Sequence, residues 1–201
     1  MKKLFAAFLF VPSVAFAAPE VLERFLNDTQ AYQADFVQRT VDEAGEVTAV
    51  SSGSMALKRG EGMGQFRWQY QEPWEQLIIG DGQDLWQYDA DLEQATKRPM
   101  QESLAGTPAE LLVGGMLLQD WNISQDEVWL TMKPKDNDLP FQSIALRFEG
   151  ENLAGMKLLD QFDQTTHVVF DHIDTQPAFA ANTFVFNAPE GTEIIGAEDD
   201  F

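Results

Sequence analysis

The chain has 201 residues, a formal net charge of −20 and no cysteine. Disulfides, thiolate metal sites and lipid attachment at an N-terminal cysteine are thereby excluded, so stability must come from an apolar core, which this length can supply in one domain. The charge works against nucleic acid and anionic membrane surfaces as partners, and it fits a solvated acidic shell.

The first residues, "MKKLFAAFLFVPSVAFAAPE", place Lys2 and Lys3 before an apolar run over 4–14 and an Ala15-Phe16-Ala17 box. This predicts a secretory signal over 1–17, with cleavage after Ala17, and a single domain over 18–201. The run is shorter than the ~20 apolar residues a spanning helix needs, and no later stretch approaches that length.

Val21, Leu22, Phe25 and Leu26 recur at helical spacing and predict a helix over 20–27. "AYQADFVQRTV" alternates, with Tyr32, Ala34 and Phe36 on one face, and a turn is expected at 43–45. The next strand carries Met55 and Leu57 in phase with Arg59. Its neighbour, 65–71, sets Phe66, Trp68 and Tyr70 against Arg67, Gln69 and Gln71 on the opposite face. "EQLIIGDGQDLWQYD" gives two strands about an Asp81-Gly82 turn, with Leu85 or Trp86 facing inward.

"GTPAELLVGGM" breaks the alternation. Thr107 as N-cap, Pro108 at the first helical position and Glu110 three residues after the cap predict a short helix bearing Leu111 and Leu112, stopped at Gly114-Gly115. "WNIS", "EVWLTMKP", "QSIALRFEG", "LAGMKLLDQF", "TTHVVFDHI" and "TFVFNAP" read as further strands, with Val128, Leu130 and Met132 facing inward and a turn at 163–165. About eleven strands with short connections predict an antiparallel sheet that curls into an incomplete barrel, mainly β, with the two helices as cover for its concave apolar face.

Little here points to catalysis. His167 and His172 are five apart, so strict alternation puts them on opposite faces, where they cannot share a metal. No nucleophile elbow, zincin helix or phosphate-binding loop occurs, and neither a catalytic residue nor a cofactor is expected. Arg59 is the exception to a bland core. A guanidinium on the inner face needs hydrogen-bond partners, and its five donors suit the exposed carbonyls at the end of a lid helix.

Five stretches, "YQADFVQ", "LKR" with "FRWQYQEP", "IIGDGQDLWQYDADLEQAT", "TPAELLVG" and "TFVFNAPEGTEII", resemble the LolA family of periplasmic lipoprotein carriers and stand in family order. The resemblance implies an incomplete, strongly curved antiparallel β-barrel under helices and a cavity that receives lipoprotein acyl chains. It also implies cargo taken from the inner-membrane ABC transporter LolCDE and handed to the outer-membrane receptor LolB, with no nucleotide or metal in the carrier and a monomer as the working form. It gives Arg59 the role of a latch on the lid, Phe66 a place at the cavity entrance and Trp68 one in its wall; Tyr32, Phe36, Met55, Leu57, Tyr70, Trp86, Leu111 and Leu112 complete the expected lining. Arg67 falls on the outer side. The link over 60–65 is longer than the family's. A glycolipid carrier, a lipid-sensing regulator of like fold and a periplasmic hydrolase are the alternatives.

Overall fold

Twelve strands form one open, curled sheet in the computed structural model, which describes residues 20–60, 62–105, 107–136 and 139–196. The expected signal, 1–17, lies outside the described residues. In chain order the elements are α1 (Glu20–Asp28), β1 (Ala31–Val41), β2 (Val47–Lys58), β3 (Gln65–Glu72), β4 (Gln76–Gly80), β5 (Asp84–Asp89), β6 (Gln94–Pro99), α2 (Met100–Leu104), α3 (Pro108–Val113), β7 (Trp121–Gln125), β8 (Leu130–Pro134), β9 (Phe141–Glu149), β10 (Asn152–Asp160), β11 (Thr165–Asp174) and β12 (Glu193–Ile195). Their order across the sheet is β12-β6-β5-β4-β3-β2-β1-β11-β10-β9-β8-β7. Each pair is antiparallel except β12, which runs parallel to β6.

The registers gather the β1–β2, β3–β4, β5–β6, β8–β9 and β10–β11 connections at one rim. The β2–β3, β4–β5 and β9–β10 connections and the start of β1 lie at the other. Many turns are closed by an aspartate whose carboxylate accepts backbone N–H groups two to four residues on. Asp42 accepts from Glu46, Asp81 from Gln83 and Asp84, Asp89 from Asp91 and Leu92, and Asp160 from Phe162 and Gln164. Part of the acidity is therefore turn chemistry rather than mere solvation.

Alternation sends Tyr32, Ala34 and Phe36 of β1, Met55 and Leu57 of β2 and Phe66 of β3 to the concave side, where they join one buried core with Leu22 and Phe25 of α1, Met100 and Leu104 of α2 and Leu111, Leu112 and Val113 of α3. α1 has Glu20 and Glu23 in its first turn, which suits a helix N-terminus. α3 starts as expected: Pro108 is the first helical residue, and Thr107 Oγ1 accepts the Glu110 N–H at 3.4 Å.

Several expectations are corrected. The sheet has twelve strands rather than about eleven, and a third helix, α2, joins the lid. "TFVFNAP" is not a strand: its Thr183 and Val185 N–H groups close local turns, and Phe186 stacks on Trp86 with ring centroids 5.0 Å apart. The closing strand is instead the short β12. β8 begins at Leu130, because the Asp126 carboxylate takes the Val128 and Trp129 N–H groups and leaves Val128 exposed in a turn. Those two bonds also hold the Asp126 carboxyl below its usual range.

The histidines do not oppose each other either. Asp35 pairs with Asp171 while Gln33 pairs with Asp174, so His172 and Ile173 form a bulge opposite Ala34. His172, at φ 49°, turns to the outer side beside Asp35, with Nδ1 2.9 Å from Oδ2. Among the described residues no group of His, Asp and Glu is arranged to hold a metal, and no helix is long and apolar enough to cross a membrane.

At Gly53 the β3 backbone leaves no room for a side chain on β2. A Cβ there would sit 1.9 Å from the Gln69 carbonyl oxygen, a backbone atom that cannot swing away. Gly53→Ala is expected to lower stability by about 1–3 kcal/mol, as over-packing does, read as a lower urea midpoint; an unchanged midpoint would mean that the sheet relaxes there freely.

Candidate functional site

One side chain, Arg59, bonds to both α1 and α3. Arg59 is 8 % exposed and follows directly on β2, at the joint between α1 and α3. Its Nε donates to Leu112 O at 2.9 Å, its Nη1 to Phe25 O at 2.6 Å and Thr29 O at 2.7 Å, and its backbone N–H to Gln30 O at 2.8 Å. The guanidinium carbon also lies 4.6 Å above the centre of the Phe25 ring. Burial pushes the guanidinium down from 12.5 to about 10, which leaves it a cation at neutral pH.

These partners are no accident of rotamer choice, since the last carbonyls of a helix have no partner within it. In α3 each finds one elsewhere. Glu110 O accepts from Gly115 N, Leu111 O from Gly114 N at a left-handed cap, Leu112 O from Arg59 Nε and Val113 O from Gly64 N. The β2–β3 loop thus closes the C-terminus of α3 while Arg59 reaches the last turn of α1. No ion pair to Arg59 occurs among the described residues; the partial negative ends of the two helices offset its charge.

Beneath α2 and α3 lies a cavity of about 290 Å³. Met55, Leu57, Phe66, Trp68, Tyr70, Ile78, Leu85, Met156, Leu158 and Val168 line it from the sheet, and Leu104, Thr107, Pro108, Ala109 and Leu112 from the lid. No α1 residue takes part. α1 instead seals the neighbouring stretch of the concave face, with Phe25 edge-on to Tyr32 and to Phe148.

The expected lining residues therefore separate into three groups. Met55, Leu57, Phe66, Trp68, Tyr70 and Leu112 line the cavity. Tyr32, Phe36 and Leu111 are buried in the core beside it: the Tyr32 hydroxyl donates to Leu153 O at 2.5 Å, and burial raises its pKa, while the Phe36 ring lies 4.5 Å from Trp68. Trp86 is on the other side of the sheet. Leu85 takes the inward position on β5, and Trp86 packs on the convex face between Phe186 and the Lys97 ammonium. The convex face has its own buried set, Ile79, Ala95 and Phe184, so an aromatic residue on β5 is sheltered on either side and its type could not decide the phase.

Phe66 is also displaced from its expected position at the entrance. It is 7 % exposed at the closed end, against Gly80, where a Cβ would meet its ring at 2.4 Å and the Met100 methyl at 2.8 Å. Arg67 sends its guanidinium to the outer side, donating to Gln69 Oε1 at 3.0 Å, while the residue also borders the cavity. Sequence reasoning missed α2, because five residues are too short to show a helical period. It also missed the polar members of the lining, Gln38, Gln87 and Thr166, though each continues the phase of an apolar neighbour two residues away.

The family profile described as "Outer membrane lipoprotein carrier protein LolA" matches residues 27–187. An outer-membrane lipoprotein carrier protein of Nitrosomonas europaea is 38 % identical over 186 residues, covering 89 % of each chain. One of Legionella pneumophila is 38 % identical over 204 residues, covering 97 % of this chain and 99 % of its own. Among solved structures, a LolA superfamily protein from Nitrosomonas europaea superposes with a TM-score of 0.51 at 13 % identity, over 86 % of this chain and 99 % of that one. An uncharacterized conserved protein from Thermus thermophilus gives 0.58 at 9 % identity, over 88 % and 97 %. The two structures bear on the fold alone.

Arg59→Lys keeps the charge and loses the fork, since one ammonium cannot serve carbonyls on two helices in the same geometry. Losing one charge-assisted bond, worth about 1.5–3 kcal/mol, should speed amide exchange in the last turn of α3 by roughly ten- to a hundredfold. Unchanged protection there would show that Arg59 does not hold α3 down.

Proposed function

The chain belongs to the family of the outer membrane lipoprotein carrier protein LolA, and on that premise we propose that it is a periplasmic carrier that shields the acyl chains of lipoproteins under its helical lid. In this reading residues 1–17 are removed on export, cargo arrives from an inner-membrane LolCDE transporter, and it leaves to an outer-membrane LolB receptor. The carrier works as a monomer. The reading invokes no catalytic residue.

The observation that carries it is an apolar cavity whose cover is tied to the sheet's rim through Arg59 and the Gly64 N–H. At about 290 Å³ the cavity falls just below the range of about 300–1,000 Å³ typical of sites for one small ligand. Several acyl chains need more room, so loading displaces α2 and α3. Each apolar lid side chain lifted from the sheet gives up about 1.5–3 kcal/mol, and about two to four buried methylenes of chain, at about 0.8 kcal/mol apiece, replace it. Binding is then a difference between two similar burials, which a carrier needs if it is to release its cargo.

Arg59 sets the zero of that balance. Removing it favours the open state whether or not cargo is present, so Arg59→Leu should still collect lipoproteins but pass them on more slowly than wild type. Incubation with spheroplasts, followed by transfer to LolB-bearing membranes and mass spectrometry of what remains bound, reads both steps. Transfer at the wild-type rate would remove the latch from this reading. Free glycolipid in place of acylated protein on the wild-type carrier would favour the glycolipid-carrier alternative.

A further inference from the structure

The concave face changes character along its strands. On four strands, moving from the Arg59 rim toward the hairpin rim, an apolar side chain is followed two residues on by one that hydrogen-bonds without charge: Phe36 by Gln38, Trp68 by Tyr70, Leu85 by Gln87 and, against the chain direction of β11, Val168 by Thr166. β10, by contrast, stays apolar from Met156 to Leu158. All four polar residues line the cavity. Exposure follows the same direction, with Phe66, Met55 and Val168 buried, Gln38, Tyr70 and Thr166 half-buried and Gln87 exposed. The cavity is closed at Phe66 and opens toward the hairpins.

The four form a collar at that mouth. The Tyr70 hydroxyl donates to Gln38 Oε1 at 3.2 Å, and burial raises its pKa, so it remains a neutral donor. Just inside, the Trp68 indole Nε1 is buried beside the Tyr70 hydroxyl but has no acceptor in hydrogen-bonding geometry. A buried donor left unmatched is costly and has a strong preference for any acceptor brought to it. Among the described residues no aspartate or glutamate lines the cavity. Arg67, the one charged residue among the described lining residues, sends its guanidinium outward to Gln69 Oε1. Arg59 is at the far end, where Nε and Nη1 hold helix carbonyls and Nη2 is buried without a partner. A buried phosphate or carboxylate would lack a counter-charge here, whereas a neutral carbonyl oxygen meets an excess of neutral donors.

We propose that Gln38, Tyr70, Gln87 and Thr166, with the Trp68 indole beneath them, form a subsite for the ester and amide carbonyls that join acyl chains to the rest of the cargo. The chains lie tail first toward Phe66, the linkages stop at the collar, and the remainder of the cargo leaves past the hairpin rim. The proposal rests on the carrier reading and adds to it an orientation and a preference for acyl over alkyl linkages.

Calorimetric titration of the whole protein with a monoacylglycerol and with the alkyl-ether glycerol of equal chain length tests it. The ester should bind roughly three- to tenfold more tightly, the range expected for one net hydrogen bond. Tyr70→Phe combined with Thr166→Val removes two hydroxyls at nearly constant volume and should bring the ratio toward one; Thr166→Val alone should lower it partway. Equal affinities in the wild type, or a ratio unchanged in the double variant, would overturn the subsite and leave the carrier reading standing. If neither probe binds wild type or Arg59→Leu, the carrier reading itself fails.

Discussion

A guanidinium is costly in an apolar interior unless its donors meet acceptors, and at Arg59 the acceptors of Nε and Nη1 are carbonyls at the ends of two helices, with Nη2 left buried and unpaired. The dependence is mutual. Without the arginine, Phe25 O, Thr29 O and Leu112 O lose their shared donor in a place with little water; without the helices, a cation faces the concave sheet alone. The lid's position follows from this exchange more than from its own length, because five- and six-residue helices such as α2 and α3 are far too short to be stable in isolation. The grip on the two helices is unequal. α1 receives two bonds from Nη1 and the face of Phe25 beneath the cation, whereas α3 receives one side-chain bond and the Gly64 N–H. The cavity lies under the more weakly held part.

Much of this could be read from the residues before any coordinates. β1 was legible to the residue because its alternation is unbroken, and α3 because Thr107, Pro108 and Gly114 each mark a boundary by their own chemistry. Arg59 was legible for a different reason: a charge in phase with Met55 and Leu57 demands an explanation, and few partners other than helix ends fit. What stayed hidden has physical causes as well. β6, "QATKRP", has little apolar pattern, since Ala95 is its one buried residue and faces the convex side. The bulge at His172 adds a residue and reverses the phase beyond it, which no reading by twos can anticipate. "TFVFNAP" has the composition of a strand, yet its phenylalanines serve as a cover for Trp86 and Tyr88 rather than as members of the sheet.

Trp86 shows why the convex side matters to the concave one. In a sheet with one wet face, an aromatic residue reports the inner side. Here the segment carrying Phe184 and Phe186 dries part of the outer face, so β5 has something to bury in both directions. Composition then loses its power to assign the phase, and only register restores it: Ile79 opposite Trp86 and Gly80 opposite Leu85 fix which residue faces the lid.

Two independent coordinates thus place a residue in this cavity. Parity along a strand chooses the face, and distance from the Arg59 rim chooses the depth. Phe66, Trp68 and Tyr70 share a parity and differ in depth, which is why one aromatic run can close the cavity, wall it and furnish its mouth in turn. A sheet built from long antiparallel strands is suited to this, because a strand that runs along the cavity can carry its own gradient, as β1, β3, β5 and β11 do. The acidic shell does not interrupt the gradient: no described carboxylate lines the cavity, and several are held at turns by backbone N–H groups. The solubility of the chain and the apolar character of its interior are in this way set by different positions on the same strands, and neither constrains the other.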